Sequence, residues 1–146
     1  MSFDNENSSL KPQIGIFPMV GDLLHVGHLY ALRQAKELCD ELIVALNVDP
    51  TIDNPNKNKP IETVYERWYR ILATNTAVEI IPYCGEKDLE LLLSTIPHTI
   101  RFIGDDHKND WTGKKYEETH NIKTIVLERS HNESSTNLRN RIIGNK

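Results

Sequence analysis

The residues best suited to handling a phosphate lie together near the amino end, in Asp22-Leu23-Leu24-His25-Val26-Gly27-His28. Where a helix begins, free backbone N–H groups and the positive end of the helix dipole favour an anion. Gly27 lets the backbone come close to it, having no side chain in the way. His25 and His28 are three apart, so in a first helical turn both imidazoles can face one pocket. Two donors would then meet one phosphate. In phosphoryl and nucleotidyl transfer, donors aimed at charge developing on phosphate oxygens supply most of the catalysis. The same pair also reads as a capping histidine with an incidental neighbour, and spacing alone does not separate the two.

A second cluster sits near the other end, in Arg129-Ser130-His131-Asn132-Glu133-Ser134-Ser135-Thr136. Ser134 and Ser135 open a helical stretch and can cap it, and the same hydroxyls and N–H groups can hold a triphosphate. Arg129 upstream offers a bidentate phosphate donor. Gly104-Asp105-Asp106 follows an apolar run, where carboxylates could bind a substrate hydroxyl, a ribose or magnesium, or simply end a strand in a turn. Trp111 stands among polar residues and suits a pocket wall, whereas Trp68 falls on an apolar stripe and reads as core. His98, His107 and His120 lack the mutual spacing of a metal site.

Elements must bring these residues together. Five short apolar runs have strand length: Ile14 to Phe17, Leu42 to Leu46, Val78 to Pro82, Ile100 to Ile103 and Thr124 to Leu127. They are nearly continuous rather than alternating, which suits strands covered on both faces and hence a parallel sheet. Between them the spacing turns helical. Leu29, Leu32, Ala35, Lys36 and Cys39 form one stripe with Asp40 as its stop. Thr63 to Ala73 forms another, with Val64, Trp68, Ile71 and Leu72 inward, then Asp88 to Ser94 before Pro97, a short turn at Tyr116 to Thr119, and Ser135 to Ile143. Alternating strands and helices predict an α/β fold of Rossmann-like, doubly wound type, a five-stranded parallel sheet with helices on both faces and ligands beyond the carboxyl ends of the strands. Asp49 to Pro60, rich in Pro, Asn and Lys, reads as a loop.

At 146 residues the chain fits one domain that buries roughly two-thirds of its unfolded surface. We expect a flexible segment over residues 1–12 and the folded domain over 13–146. The formal charge of -4 argues against a nucleic-acid partner, since that affinity rests on Lys and Arg neutralising phosphates. Two cysteines, Cys39 and Cys84, are too few for a disulfide framework and read as reduced thiols of a cytoplasmic protein. No apolar run of 18 residues is present, so no membrane span is expected.

The Asp22 to His28 segment resembles the G-x-F-D-x-x-H-x-G-H signature of the cytidylyltransferase family, in particular the small glycerol-3-phosphate cytidylyltransferases. Asp22, Leu23, Leu24, His25, Gly27 and His28 match; Met19 replaces the usual glycine and Gly21 the phenylalanine. The Arg129 to Thr136 block is similar to the family's R-T-x-x-I-S-T-T, with Glu133 in place of isoleucine. A looser match runs through Asp49, Lys59, Tyr65-Glu66-Arg67 and Phe102 to Asp106, while Asn75 to Val78 replaces the family's Arg-Tyr-Val-Asp. This resemblance implies transfer of CMP from CTP to a phosphorylated alcohol, giving a CDP-alcohol such as CDP-glycerol, with pyrophosphate released. Magnesium would accompany CTP, held mainly by the triphosphate with Asp22 as a further ligand. The implied catalytic set is His25, His28, Lys59 (Lys57 as runner-up) and Arg129. Nucleotide contacts fall to Val20, Gly21, Asp22, Gly27, Asp105, Ser134, Ser135 and Thr136. Acceptor contacts fall to Arg67, Asp106, Lys57 and Trp111; Arg67 reads equally as an ion-pair partner of Glu66 or another carboxylate. The resemblance also implies a homodimer. An adenylyltransferase using ATP at the same phosphate site, or a non-catalytic nucleotide-binding module, fits the same residues.

Overall fold

In the computed structural model, residues 11–104, 109–128 and 135–144 are described, without the side chains of 135–137. Five strands form one parallel sheet: β1 (Ile14–Met19), β2 (Glu41–Asn47), β3 (Glu79–Tyr83), β4 (Ile100–Gly104) and β5 (Lys123–Leu127), in the order β3-β2-β1-β4-β5. The helices are α1 (Val26–Glu37), α2 (Val64–Ala73), α3 (Glu86–Thr95), α4 (Lys114–Thr119) and α5 (Ser135–Gly144), with a 3₁₀ turn at Pro50–Ile52.

The continuous apolar runs arise because both faces of the sheet are covered. Along β2, Leu42, Val44 and Leu46 join one core with Leu32 and Ala35 of α1 and Ile71 of α2. The alternate residues Ile43 and Ala45 join a second core with Leu89, Leu92 and Leu93 of α3. Successive side chains of a strand point to opposite faces, so a strand between two helical layers must be apolar at every position. Gly15 of β1 is forced by packing: a Cβ there would collide with the Phe102 ring and stand 3.1 Å from the Cys39 sulfur.

Two helix faces differ from expectation. Leu29 of α1 and Leu72 of α2 are exposed, at 44% and 47%; in α2 the buried positions are Arg67 and Ile71 instead. A buried arginine breaks the apolar pattern from which the stripe was read. Helix α1 also ends earlier, at Glu37 with Leu38 as its cap. Asp40 does not stop it; its carboxylate accepts the backbone N–H of Gln13 at 2.6 Å, holding β2 to the entry of β1.

Candidate functional site

Strand order reverses between β1 and β4, which opens a crevice at the carboxyl end of the sheet. A cleft of about 1410 Å³ occupies it, bordered by the loop after β1, by Lys57 and by Trp111.

The loop from β1 to α1 turns on Gly21 (φ 66°) and Leu23 (φ 50°), both left-handed. Gly21 is required there: a side chain would be strained by the φ and would meet Ile71 Cδ1 at 3.1 Å. The departure from phenylalanine at this position therefore belongs to a tight turn against α2. Below it the Asp22 carboxylate accepts the backbone N–H groups of Ile61 (3.0 Å) and Glu62 (2.9 Å) and pairs with Arg139. Glu62 in turn accepts from the Leu23 N–H at 2.7 Å and pairs with Arg70 at 2.6 Å. With its oxygens so committed, Asp22 fits the expected magnesium ligand poorly; it is the clasp that fastens the loop.

At the start of α1 the two histidines cap the helix and by doing so define their own chemistry. His25 Nδ1 accepts the Gly27 N–H (3.0 Å), and His28 Nδ1 accepts the His25 N–H (3.2 Å). An accepting Nδ1 leaves the proton of a neutral imidazole on Nε2. The His28 pKa is lowered to about 4, first by burial and then by the neighbouring His25, against an opposing pull from Asp22. His28 is therefore neutral near pH 7 and presents Nε2–H as a donor. The rings lie 4.0 Å apart, centroid to centroid, but of the two only His28 lines the cleft.

Val20, Gly21, Asp22, His28, Lys57 and Trp111 all line the cleft. Gly27, Lys59 and Arg67 do not. Lys59 is exposed on the loop, so of the two loop lysines the runner-up Lys57 is the one at the cleft. Arg67 was expected as an acceptor contact or as an ion-pair partner of Glu66 or another carboxylate; the structure places it beneath the cleft, with Asp22, Glu62 and Asp49 as the carboxylates acting on it. Its guanidinium is buried and donates to four carbonyls: Glu62 (3.2 Å), Val20 (2.9 Å), Asn47 (2.7 Å) and Val48 (2.7 Å). Glu66 instead forms a reciprocal cap with Thr63. Arg67 thus ties together the ends of β1 and β2 beneath the cleft. Asp105, Asp106, Arg129 and Ser134 lie outside the described residues, as do the side chains of Ser135 and Thr136.

Sequence reasoning passed over two groups. Arg139 of α5 lines the cleft beside Asp22. Arg101 of β4 also lines the cleft and is tied to Glu117 of α4 (3.1 Å) and to the Thr112 carbonyl (2.9 Å). Glu117 further bonds His98 Nε2 (2.9 Å) and Trp111 Nε1 (3.1 Å), which holds the indole at the cleft wall. The signal was one charged residue inside the apolar run Ile100 to Ile103. Tyr83 nearby has its pKa pushed up to about 12, chiefly by burial.

The profile of the cytidylyltransferase-like family matches residues 17–141. An FAD synthase from Thermococcus sibiricus is 36% identical over 112 residues, covering 74% of each chain. A bifunctional protein HldE from Helicobacter hepaticus is 34% identical over 107 residues; the match covers 73% of this chain but only 21% of that much longer protein. Among solved structures, a lipopolysaccharide core biosynthesis protein from Thermoplasma volcanium superposes with a TM-score of 0.65 at 24% identity, covering 84% of this chain and all of the other. That likeness bears on the fold. Together with the capped histidine pair at the switch point, the family match and the FAD synthase relationship establish that the chain belongs to the cytidylyltransferase-like family of nucleotidyltransferases.

Proposed function

We propose that the chain transfers a nucleotidyl group from a nucleoside triphosphate to the phosphate of a small phosphorylated alcohol, releasing pyrophosphate. The observation that carries this reading is His28 Nε2–H, a neutral donor held at the carboxyl end of β1 by two caps. In the transfer an acceptor phosphate oxygen attacks the α-phosphorus. The new O–P bond forms as the bond to the bridging oxygen breaks, and pyrophosphate leaves with that electron pair. No protein nucleophile is needed. His28 stabilises the α-phosphate oxygens as charge gathers on them, with His25 packed against it. Lys57 and Arg139 supply positive charge to the triphosphate from the cleft wall. Arg129, Ser134, Ser135 and Thr136 are proposed to extend this clamp, and Asp105 and Asp106 to hold ribose or acceptor hydroxyls. Magnesium is proposed as the counter-ion brought by the triphosphate.

ATP is the donor we favour, because the product named for the FAD synthase relatives contains an adenylyl group. A second reading, CMP transfer from CTP to a glycerol-3-phosphate-like acceptor, draws on the Asp22 to His28 resemblance. A homodimer is proposed with either; exposed Leu29 and Tyr30 of α1 and Tyr65 and Tyr69 of α2 offer apolar surface for it. Pyrophosphate release should be measured with ATP and CTP against glycerol 3-phosphate, a hexose 1-phosphate and FMN. One nucleotide and one acceptor class should stand out, and His28→Ala should lower the rate by about 10²–10³, the cost of losing one charge-stabilising donor. No release with any pair, or full activity in folded His28→Ala, would refute the reading.

A further inference from the structure

Arg101 is a cation inside an otherwise apolar strand, opposite Ile16 of β1 and Thr124 of β5, and only 3% of it is exposed. Its tie to the protein uses a single nitrogen. Nη1 donates to the Thr112 carbonyl and to Glu117, while Nε is buried and has no hydrogen-bond partner among the described residues. Nη2 likewise donates to none of them. Glu117 cannot turn to serve these groups, since its other contacts, to His98 and Trp111, hold it in place. A desolvated N–H left without an acceptor opposes folding, so a purely structural arginine would be expected to have its donors satisfied.

Nε and Nη2 share one edge of the planar guanidinium, the fork that takes two adjacent oxygens at once. Arg101 lines the same cleft as His28 and Trp111. It stands three residues before the end of β4, about 10 Å below the sheet edge at the usual rise of a strand. A group bound there belongs to the part of a substrate remote from the reacting phosphate. Its charge can be inferred as well. Glu117 already balances the guanidinium, so a second anion in this buried corner would face that carboxylate unpaired. A neutral pair of oxygens meets no such opposition.

We propose that the Nε–Nη2 edge of Arg101 is an acceptor subsite that reads two neighbouring hydroxyls of a sugar or polyol phosphate. The subsite rests on the reading of the cleft as a nucleotidyl-transfer site and specifies what its acceptor must carry. The Trp111 indole forms the adjoining wall, its far edge pinned by Glu117 and Lys114 Nζ lying 4.9 Å from the ring centroid.

The test is calorimetric titration of the wild-type chain, Arg101→Met and the double variant R101M/E117Q. The double variant removes both charges, so no carboxylate is left stranded if the single change unfolds the protein. Probes are glucose 1-phosphate, glycerol 3-phosphate, hydroxyl-free propyl phosphate and 3-phosphoglycerate, with ATP and CTP titrated separately. Wild type should bind the better polyol phosphate at least tenfold more tightly than propyl phosphate. Loss of the fork should shrink that preference below threefold, with nucleotide affinity unchanged. Absence of the preference in wild type, its survival in the folded variants, or stronger binding of the carboxylate probe would each overturn the proposal. Failure of the transfer reading would appear separately, as absent nucleotide binding and pyrophosphate release.

Discussion

Replacing Arg67 by methionine keeps an unbranched apolar stem and removes every donor. Four carbonyl oxygens then lose a partner: those of Glu62, Val20, Asn47 and Val48, at 2.7 to 3.2 Å. At a net worth of about 1 kcal/mol per hydrogen bond the loss is about 4 kcal/mol. That is a large share of the roughly 5–15 kcal/mol that holds a domain together. For a chain of this size about 3 °C of melting temperature goes with each kcal/mol, so Tm should fall by about 12 °C. Arg67→Lys should be nearly as damaging, because one ammonium cannot reach four divergent carbonyls. Urea unfolding followed by circular dichroism, beside acceptor KM, separates the two roles of the residue. A variant within 1 kcal/mol of wild type whose acceptor KM rises tenfold would refute the structural assignment and restore Arg67 to the substrate.

The neutral state of His28 makes stability fall in acid. Its pKa is about 4 in the folded chain against an ordinary 6.5, so between those values the unfolded chain binds more protons. This contribution is complete above pH 6.5 and declines as pH drops toward 4, by about 3 kcal/mol in all. Urea unfolding at pH 7 and 4.5 should show a smaller acid loss in His28→Asn than in wild type; equal losses would count against the shift. Of the loop lysines, Lys57→Ala should raise nucleotide KM severalfold and Lys59→Ala should leave it near wild type, the reverse order favouring the sequence-based assignment. Gly15→Ala should destabilise by about 1–3 kcal/mol through overpacking against Phe102 and Cys39, and unchanged thermal unfolding would show that the strands can separate there.

The five parallel strands and the helices between them were legible because each rests on local pattern. Apolar runs such as Leu42 to Leu46 reflect covering on both faces, and a histidine pair at a helix start reflects the chemistry of free N–H groups. The sequence by itself thus determined the fold class and put the histidine pair at the start of the first helix. Tertiary structure decided which groups remain available there. Arg67, matched in register with a substrate-binding family, lies beneath the loops because carbonyls from three segments converge on it. Arg139 reaches the cleft from a helix 117 residues beyond Asp22, and Arg101 joins it through a contact with a helix 16 residues away. Hydrogen bonding of a buried charge depends on where distant carbonyls and carboxylates fall in space, and periodicity along the chain carries none of that information.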